Sequence, residues 1–284
     1  MLKVKTKEDK ILNYKLIAID MDGTLLNSKG RVTERNKEAI RKATEKGVKV
    51  VISTGRIFTS AMYYARLIGL VTPIIACNGA YVSEYHRDNV ILENPIDKKD
   101  IIEVFKVFEE KDLYYHFYDN ENFYTRDLDF NSLKYYKWNE KQPEEDRINI
   151  EIIKNPIDFI NKNNKKIYKI VVMDDDVDKI IKTRKELSNR NNIDIVSSWH
   201  GTIDIMFKGV SKGNALEELC KLHKIKEKEV IAIGDNENDL SMLKFAGTSV
   251  AMKNGIDIVK DYSDIVTDSN DEDGVAKVIE KLIK

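Results

Sequence analysis

Lys15-Leu16-Ile17-Ala18-Ile19-Asp20-Met21-Asp22-Gly23-Thr24 is the stretch that decides the fold. Four apolar residues run together and end on an acid. A run that short, with no alternation of polar and apolar positions, fits a strand buried on both faces, as strands of parallel sheets are. Asp20 and Asp22 follow its end. In extended chain, residues two apart point to the same side. Two carboxylates are therefore aimed together at the C-terminal edge of a parallel sheet, the edge where open α/β sheets bind ligands. Two anions held close repel. A phosphate arriving there adds negative charge, and a divalent cation resolves the conflict. All-oxygen ligands beside phosphate favour magnesium.

Outward from this run the pattern repeats. Thr33 is a helix cap, and a helix is expected to Lys46, stopped by Gly47. Val48 to Ser53 is a second apolar strand, Ile57 to Ile68 a helix closed by Gly69, and Pro73 to Cys77 a third strand. Strand, helix, strand, helix, strand predicts a doubly wound, Rossmann-like parallel sheet. The texture returns late. Strands are expected at Val230 to Ile233, Thr248 to Ala251 and Asp264 to Val266, with helices at Asp239 to Phe245 and Gly274 to Ile283.

The middle differs. Tyr114 to Tyr118 and Phe123-Tyr124 are aromatic strand-like runs, and Asp100 to Glu110 has apolar residues at helical spacing. Ile167 to Met173 and Ile203 to Phe207 are expected strands, and Lys179 to Arg190 a helix. This mixture predicts an α+β insert over residues 83–197, within a core made of residues 1–82 and 198–284. The aromatics fit sheet packing better than a base-stacking platform, because strands favour them.

Composition excludes several classes. Lys plus Arg is 47 and Asp plus Glu is 48, so no global charge draws the chain to nucleic acid or anionic lipid. Cys77 and Cys220 form no CxxC, and His86, His116, His200 and His223 are dispersed, which argues against disulfide scaffolds and zinc sites. No long apolar run follows the Lys-rich Met1 to Lys10 segment, so neither a signal peptide nor a membrane span is expected and the cytoplasm is the default compartment. A monomer or weak homodimer is expected.

Three further motifs stand at strand ends or helix starts. They are Ser53-Thr54-Gly55-Arg56, Val210-Ser211-Lys212-Gly213 and Gly234-Asp235-Asn236-Glu237-Asn238-Asp239. A hydroxyl and free N–H groups in a strand-to-helix turn can hold phosphoryl oxygens. A cation suits the charge that builds on those oxygens.

Taken in order, DMDGTLL, STGR, VSKG and GDNEND resemble the four motifs of the haloacid dehalogenase superfamily, and with the core strands the resemblance covers nearly the whole chain. It implies a magnesium-dependent phosphatase. Asp20 would attack phosphorus to form an aspartyl-phosphate, and Asp22 would protonate the leaving group and then activate water. Met21, Thr54, Gly55, Lys212 and Asn238 would meet the phosphoryl group, with Ser53 one residue from the matching position. Magnesium would be held by Asp20, Asp22 (through its backbone carbonyl) and Asp235, supported by Asp239. Arg56 could serve phosphate or only the surface.

The insert between the second and third motifs, beginning after Ala76-Cys77-Asn78-Gly79-Ala80, resembles a C2-type cap of the Cof-type, IIB subclass. Its bacterial members are mostly phosphatases of sugar phosphates or related small phosphorylated metabolites. Asn78 and Gly79 would border the leaving-group pocket. Trp199 and His200 lie near the return from the cap, where a loop role outweighs substrate contact. Three rivals remain: a phosphomutase of the phosphomannomutase type, a receiver-like switch, which would lack an acid two residues after its phosphorylated Asp, and a dead-site scaffold.

Overall fold

The computed structural model describes residues 13–198 and 201–283. Trp199, His200 and the Met1 to Lys10 segment lie outside the described residues. The chain opens with β1 (Leu16–Ile19), α1 (Glu34–Glu45), β2 (Lys49–Ile52), α2 (Phe58–Leu67), β3 (Ile74–Ala76), β4 (Tyr81–Ser83) and β5 (Val90–Glu93). The insert then runs α3 (Lys98–Glu110), β6 (Tyr114–Tyr118), β7 (Asn122–Thr125), α4 (Phe130–Asn139), β8 (Asn149–Ile152), α5 (Pro156–Lys162), β9 (Lys169–Met173), α6 (Val177–Leu187), β10 (Ile193–Val196) and β11 (Thr202–Phe207). The core resumes with α7 (Lys212–Leu222), β12 (Val230–Gly234), α8 (Leu240–Phe245), β13 (Thr248–Ala251), α9 (Asp257–Tyr262), β14 (Ile265–Val266) and α10 (Gly274–Leu282).

The core sheet has the order β14-β13-β12-β1-β2, and all its pairings are parallel. A single bridge between Ser53 and Ile75 brings β3 alongside β2. All four β1 residues are buried, as the unbroken apolar run required. Ile17 and Ile19 pack with Ala39, Ile40 and Ala43 of α1 and with Val275 and Ile279 of α10. Leu16 and Ala18 pack on the other face with Leu216 and Leu219 of α7 and Met242 and Leu243 of α8. Each such Ile, Leu, Val or Met side chain stabilises the fold by about 1.5–3 kcal/mol. Thr33 caps α1, its hydroxyl accepting from the Asn36 N–H, and Gly47 follows the helix with φ +83°.

The insert is an α+β cap whose sheet has the order β10-β11-β9-β6-β7-β8. It is antiparallel except for the β7–β8 pair. The aromatic runs do pack this sheet: Tyr115, Phe117 and Tyr124 sit under α3 with Phe105 and Phe108. β4 and β5 pair with β3, on the core side, and β11 pairs with β9, inside the cap sheet. Helix α4 was not expected at all. Among the described residues, no helix is long and apolar enough to cross a membrane.

β1 connects to β2 on one side, whereas β12 leads to β13 on the other. The crevice between β1 and β12, beyond their carboxyl ends, is therefore a topological switch point, the preferred ligand position in such sheets.

Candidate active site

Register explains why distant motifs meet. Ile19 pairs with Ile233 and with Ile52, so the residues just beyond them share one edge. The Asp20 N–H donates to Ile233 O (3.0 Å) and the Ser53 N–H to Ile19 O (2.9 Å). Asp20, Asp235 and Asp239, all buried, offer carboxylate oxygens within 4.8 Å of one another. Lys212, fully buried at the start of α7, donates to Asp20 Oδ1 and to Asp239 Oδ1, both at 2.6 Å. The other Asp239 oxygen accepts from the N–H groups of Asp235 (2.9 Å) and Asn236 (3.0 Å). Thr24 donates to Asp235 Oδ1 at 2.8 Å. Gly23 has φ +80°, and a Cβ there would stand 2.4 Å from Asp235 Oδ2, so the turn needs glycine on both counts.

The electrostatics follow from this crowding. Burial, then the Asp239 carboxylate, pushes the Asp20 pKa up to about 7 against the pull of Lys212. Burial, then Asp20 and Asp239, pushes Asp235 up to about 9. Lys212 is raised: its two carboxylates outweigh burial, which alone would lower it. A buried all-oxygen trio short of positive charge suits a hard divalent cation, so these residues fit a metal ion.

Asp22 stands apart from the trio. Its side chain is 48% exposed, and Arg56 grips it with Nε (2.7 Å) and Nη2 (2.6 Å). Burial in the pocket would raise its pKa, but Arg56 overrides this and holds the carboxyl below its ordinary value. Arg56 also donates to Ser60 (3.1 Å) and lies 5.1 Å from the centre of the Tyr64 ring. Arg56 thus lines the cavity.

The remaining expected residues sit as follows. Thr54 is buried, and its hydroxyl accepts from the Arg56 N–H (3.2 Å). The Ser53 hydroxyl is buried without a hydrogen-bond partner. The Met21 side chain belongs to the core, so only its backbone can meet a ligand. Asn238 donates to Asn78 Oδ1 at 3.0 Å. Asn78 does not line the cavity; it stands behind Asn238 and donates to Asp204 at 2.9 Å. Gly79 is likewise off the cavity wall. It has φ +97° and abuts Ser211, where a Cβ would meet the carbonyl at 2.3 Å.

Two charged residues on the cavity wall were not singled out from the sequence. Lys169 of β9 and Asp204 of β11 are buried cap residues that form an ion pair at 2.7 Å. Lys169 also donates to Gly55 O at 2.9 Å. A cavity of about 800 Å³ lies between core and cap, with Asp20, Asp22, Arg56, Lys169, Asp204 and Tyr135 of α4 on its wall. Arg184 of α6 clasps Glu237 of the core with both terminal nitrogens, and Arg66 of α2 pairs with Asp146 of the insert.

A parallel sheet that gathers three acids and a lysine at its switch point, under an inserted antiparallel cap, defines a phosphoryl-transfer class of α/β hydrolase. The comparisons with known proteins give the family. The model of the haloacid dehalogenase-like hydrolases matches residues 17–279, and the chain belongs to that family. The phosphatase YwpJ of Bacillus subtilis is 31% identical over 95% of this chain and 100% of its own. The 5-amino-6-(5-phospho-D-ribitylamino)uracil phosphatase YwtE of Bacillus subtilis is 32% identical over 95% of this chain and 98% of its own. A solved haloacid dehalogenase-like hydrolase from B. subtilis superposes with a TM-score of 0.84 at 30% identity, covering 94% of this chain and 99% of that one. The protein is a phosphoric monoester hydrolase of this family, acting on phosphorylated substrates.

Proposed function

We propose that the protein is a magnesium-dependent phosphatase of small phosphorylated metabolites, sugar and polyol phosphates foremost, working through an aspartyl-phosphate on Asp20. The observation that carries this reading is the convergence of Asp20, Asp235, Asp239 and Lys212, with Asp22 two residues beyond the first acid. The ribityl phosphate in the name of one relative, and a cavity of about 800 Å³, support a leaving group of sugar or polyol size.

Asp20 Oδ attacks phosphorus, and the bond from phosphorus to the leaving oxygen breaks as the new one forms. Asp22 gives its proton to that oxygen. It then takes a proton from the water that attacks the same phosphorus, releasing inorganic phosphate and restoring Asp20. Arg56 holds Asp22 as a carboxylate, the form needed for the second step. Asp22 must leave Arg56, or gain a proton as substrate binds, to serve the first. Lys212 offsets charge on Asp20 and on the equatorial phosphoryl oxygens. Asp20 and Asp235 would hold magnesium, with Asp239 beside them and the Asp22 backbone carbonyl completing the set. When bound, the ion supplies charge neutralisation and a template for the phosphoryl oxygens. The cap excludes bulk water and shapes the leaving-group pocket.

The test is Asp20→Asn. Magnesium-dependent release of phosphate from an aryl phosphate should vanish while circular dichroism stays native. Retained turnover would remove Asp20 as nucleophile. Isomerised sugar phosphate in place of inorganic phosphate would turn the reading to a mutase.

A further inference from the structure

The wall of the cavity divides electrostatically. Some of its charges are matched: Asp22 with Arg56, and Lys169 with Asp204. Others form no ion pair. Lys29 and Arg31, on the connection between β1 and α1, line the cavity, as do Lys134 of α4 and Lys141 just after it. Among the described residues none of the four side chains bonds a carboxylate. Lys37 lines the same region and pairs with Glu34 at 2.8 Å, which uses the one acid in that part of the wall.

This excess is local. The chain as a whole is balanced, with 47 basic and 48 acidic residues. Two of the four cations come from the core and two from the cap, so docking the cap is what gathers them. All four side chains are exposed, and four cations on the wall of one cavity give that stretch a positive potential that favours an anionic ligand. The phosphoryl group being transferred has its own partners beside Asp20, namely Lys212 and the acids that would hold metal, so these four cations are left for another anion.

We infer that the stretch of wall carrying Lys29, Arg31, Lys134 and Lys141 is a second anion site, and that the preferred substrates are phosphomonoesters whose leaving group carries its own phosphate or carboxylate. This rests on the phosphatase reading above and narrows its substrate class. A neutral sugar or polyol would bring no charge to meet these cations, of which Lys29 already has the Asp271 carboxylate acting on it. A bisphosphate or a phosphorylated hydroxy acid would bring the missing charge.

The experiment measures kcat/KM at saturating free magnesium for two matched pairs: a hexose bisphosphate against the corresponding hexose monophosphates, and phosphoglycerate against glycerol phosphate. An aryl phosphate is run alongside. The charged member of a pair should win by about tenfold or more at low salt. The gap should shrink as ionic strength rises and the Debye length falls from about 30 Å toward about 3 Å. In the doubly substituted Lys134→Glu, Lys141→Glu protein the ratio within each pair should fall to about one. A gap in only one pair supports the site and names its group as phosphate or carboxylate. Ratios near one in both pairs, with the aryl phosphate still hydrolysed, would overturn the anion site and leave the phosphatase intact. An unchanged ratio in the variant would overturn it too. Failure to hydrolyse the aryl phosphate would instead count against the phosphatase reading.

Discussion

The Nζ of Lys169 donates to the carbonyl oxygen of Gly55 at 2.9 Å, so a cap strand grips the loop of the second motif. The same ammonium pairs with Asp204, which accepts from Asn78, which in turn accepts from Asn238. One buried chain of contacts thus runs from the cap to two loops of the core site. It occupies the Gly55 carbonyl, a group that would otherwise repel an incoming phosphate.

Lys169→Met should therefore hurt twice. It strands Asp204 as a buried charge, at a cost of about 3–5 kcal/mol in denaturant unfolding. It also loosens the loop, with kcat/KM down by about 100-fold. Adding Asp204→Leu should recover most of the stability, since apolar groups can replace a buried pair, but not the activity. Full activity in the stable double variant would refute a positioning role. Gly55→Ala probes the same contact from the other side, because its Cβ would stand 2.9 Å from Lys169 Nζ and 2.8 Å from Asn78 Oδ1.

Asp22→Asn should separate the two half-reactions. An aryl phosphate has a leaving group that departs with little protonation, so Asp20 can still be phosphorylated. Hydrolysis of that acyl phosphate then lacks its base, and turnover should fall about 10²–10⁴-fold. Intact-protein mass spectrometry during turnover should show one added phosphoryl group. Equal steady-state rates for variant and parent would sink the assignment of Asp22.

Magnesium should stabilise the protein as well as activate it. Burial and mutual repulsion raise Asp20 to about 7 and Asp235 to about 9. A carboxyl whose folded pKa is raised favours the fold while protonated, so this contribution fades as pH climbs from about 4 through those values. A cation replaces the protons, and its affinity should rise with pH over the same window. At a hundred times its Kd, magnesium would add about 2.7 kcal/mol. Thermal midpoints with and without a chelator, at several pH values, check this. The shift should be largest near pH 9 and lost in Asp235→Asn.

His116 should set acid sensitivity. It is fully buried, stacked on Phe123 and bonded to the Tyr118 hydroxyl at 2.8 Å. Burial, then the nearby Lys169 charge, holds its pKa well below the usual value. The fold keeps it neutral, so stability is fully present above about pH 6.5 and falls by about 1.4 kcal/mol per pH unit below it. Urea midpoints from pH 7 to pH 5 should show this slope, and His116→Phe should flatten it. An identical slope in the variant would move the effect elsewhere.

The parallel core was legible because its strands are apolar on both faces and each motif falls at a strand end. Periodicity had less to say about α4, FNSLKYYKWN, which lacks an apolar stripe and sits in an aromatic-rich region that suggested strands. Its start was nevertheless signalled by Asp129 and Ser132, which form a capping box. Lys169 and Asp204 left a fainter trace. Each is a lone charge inside an apolar strand, and a buried charge of that kind demands a partner. What no local pattern could supply was the partner's identity, because Gly55 and Asn78 lie in another domain more than a hundred residues away in sequence. Asn78 and Gly79 were placed near the right loop, but their roles behind the wall depend on how α7 and the cap dock there.

The cap is tied to the core by residues 94–97 on one side and 208–211 on the other. Between those ties, segment 98–207 supplies none of the acids that gather around Lys212. The cap's share of selectivity is therefore heritable apart from the chemistry, while Lys29 and Arg31 stay with the core. A foreign cap could be spliced in at these two joints, and the hybrid would need to reproduce few features, Lys169 and Asp204 first among them, to dock in register over unchanged machinery.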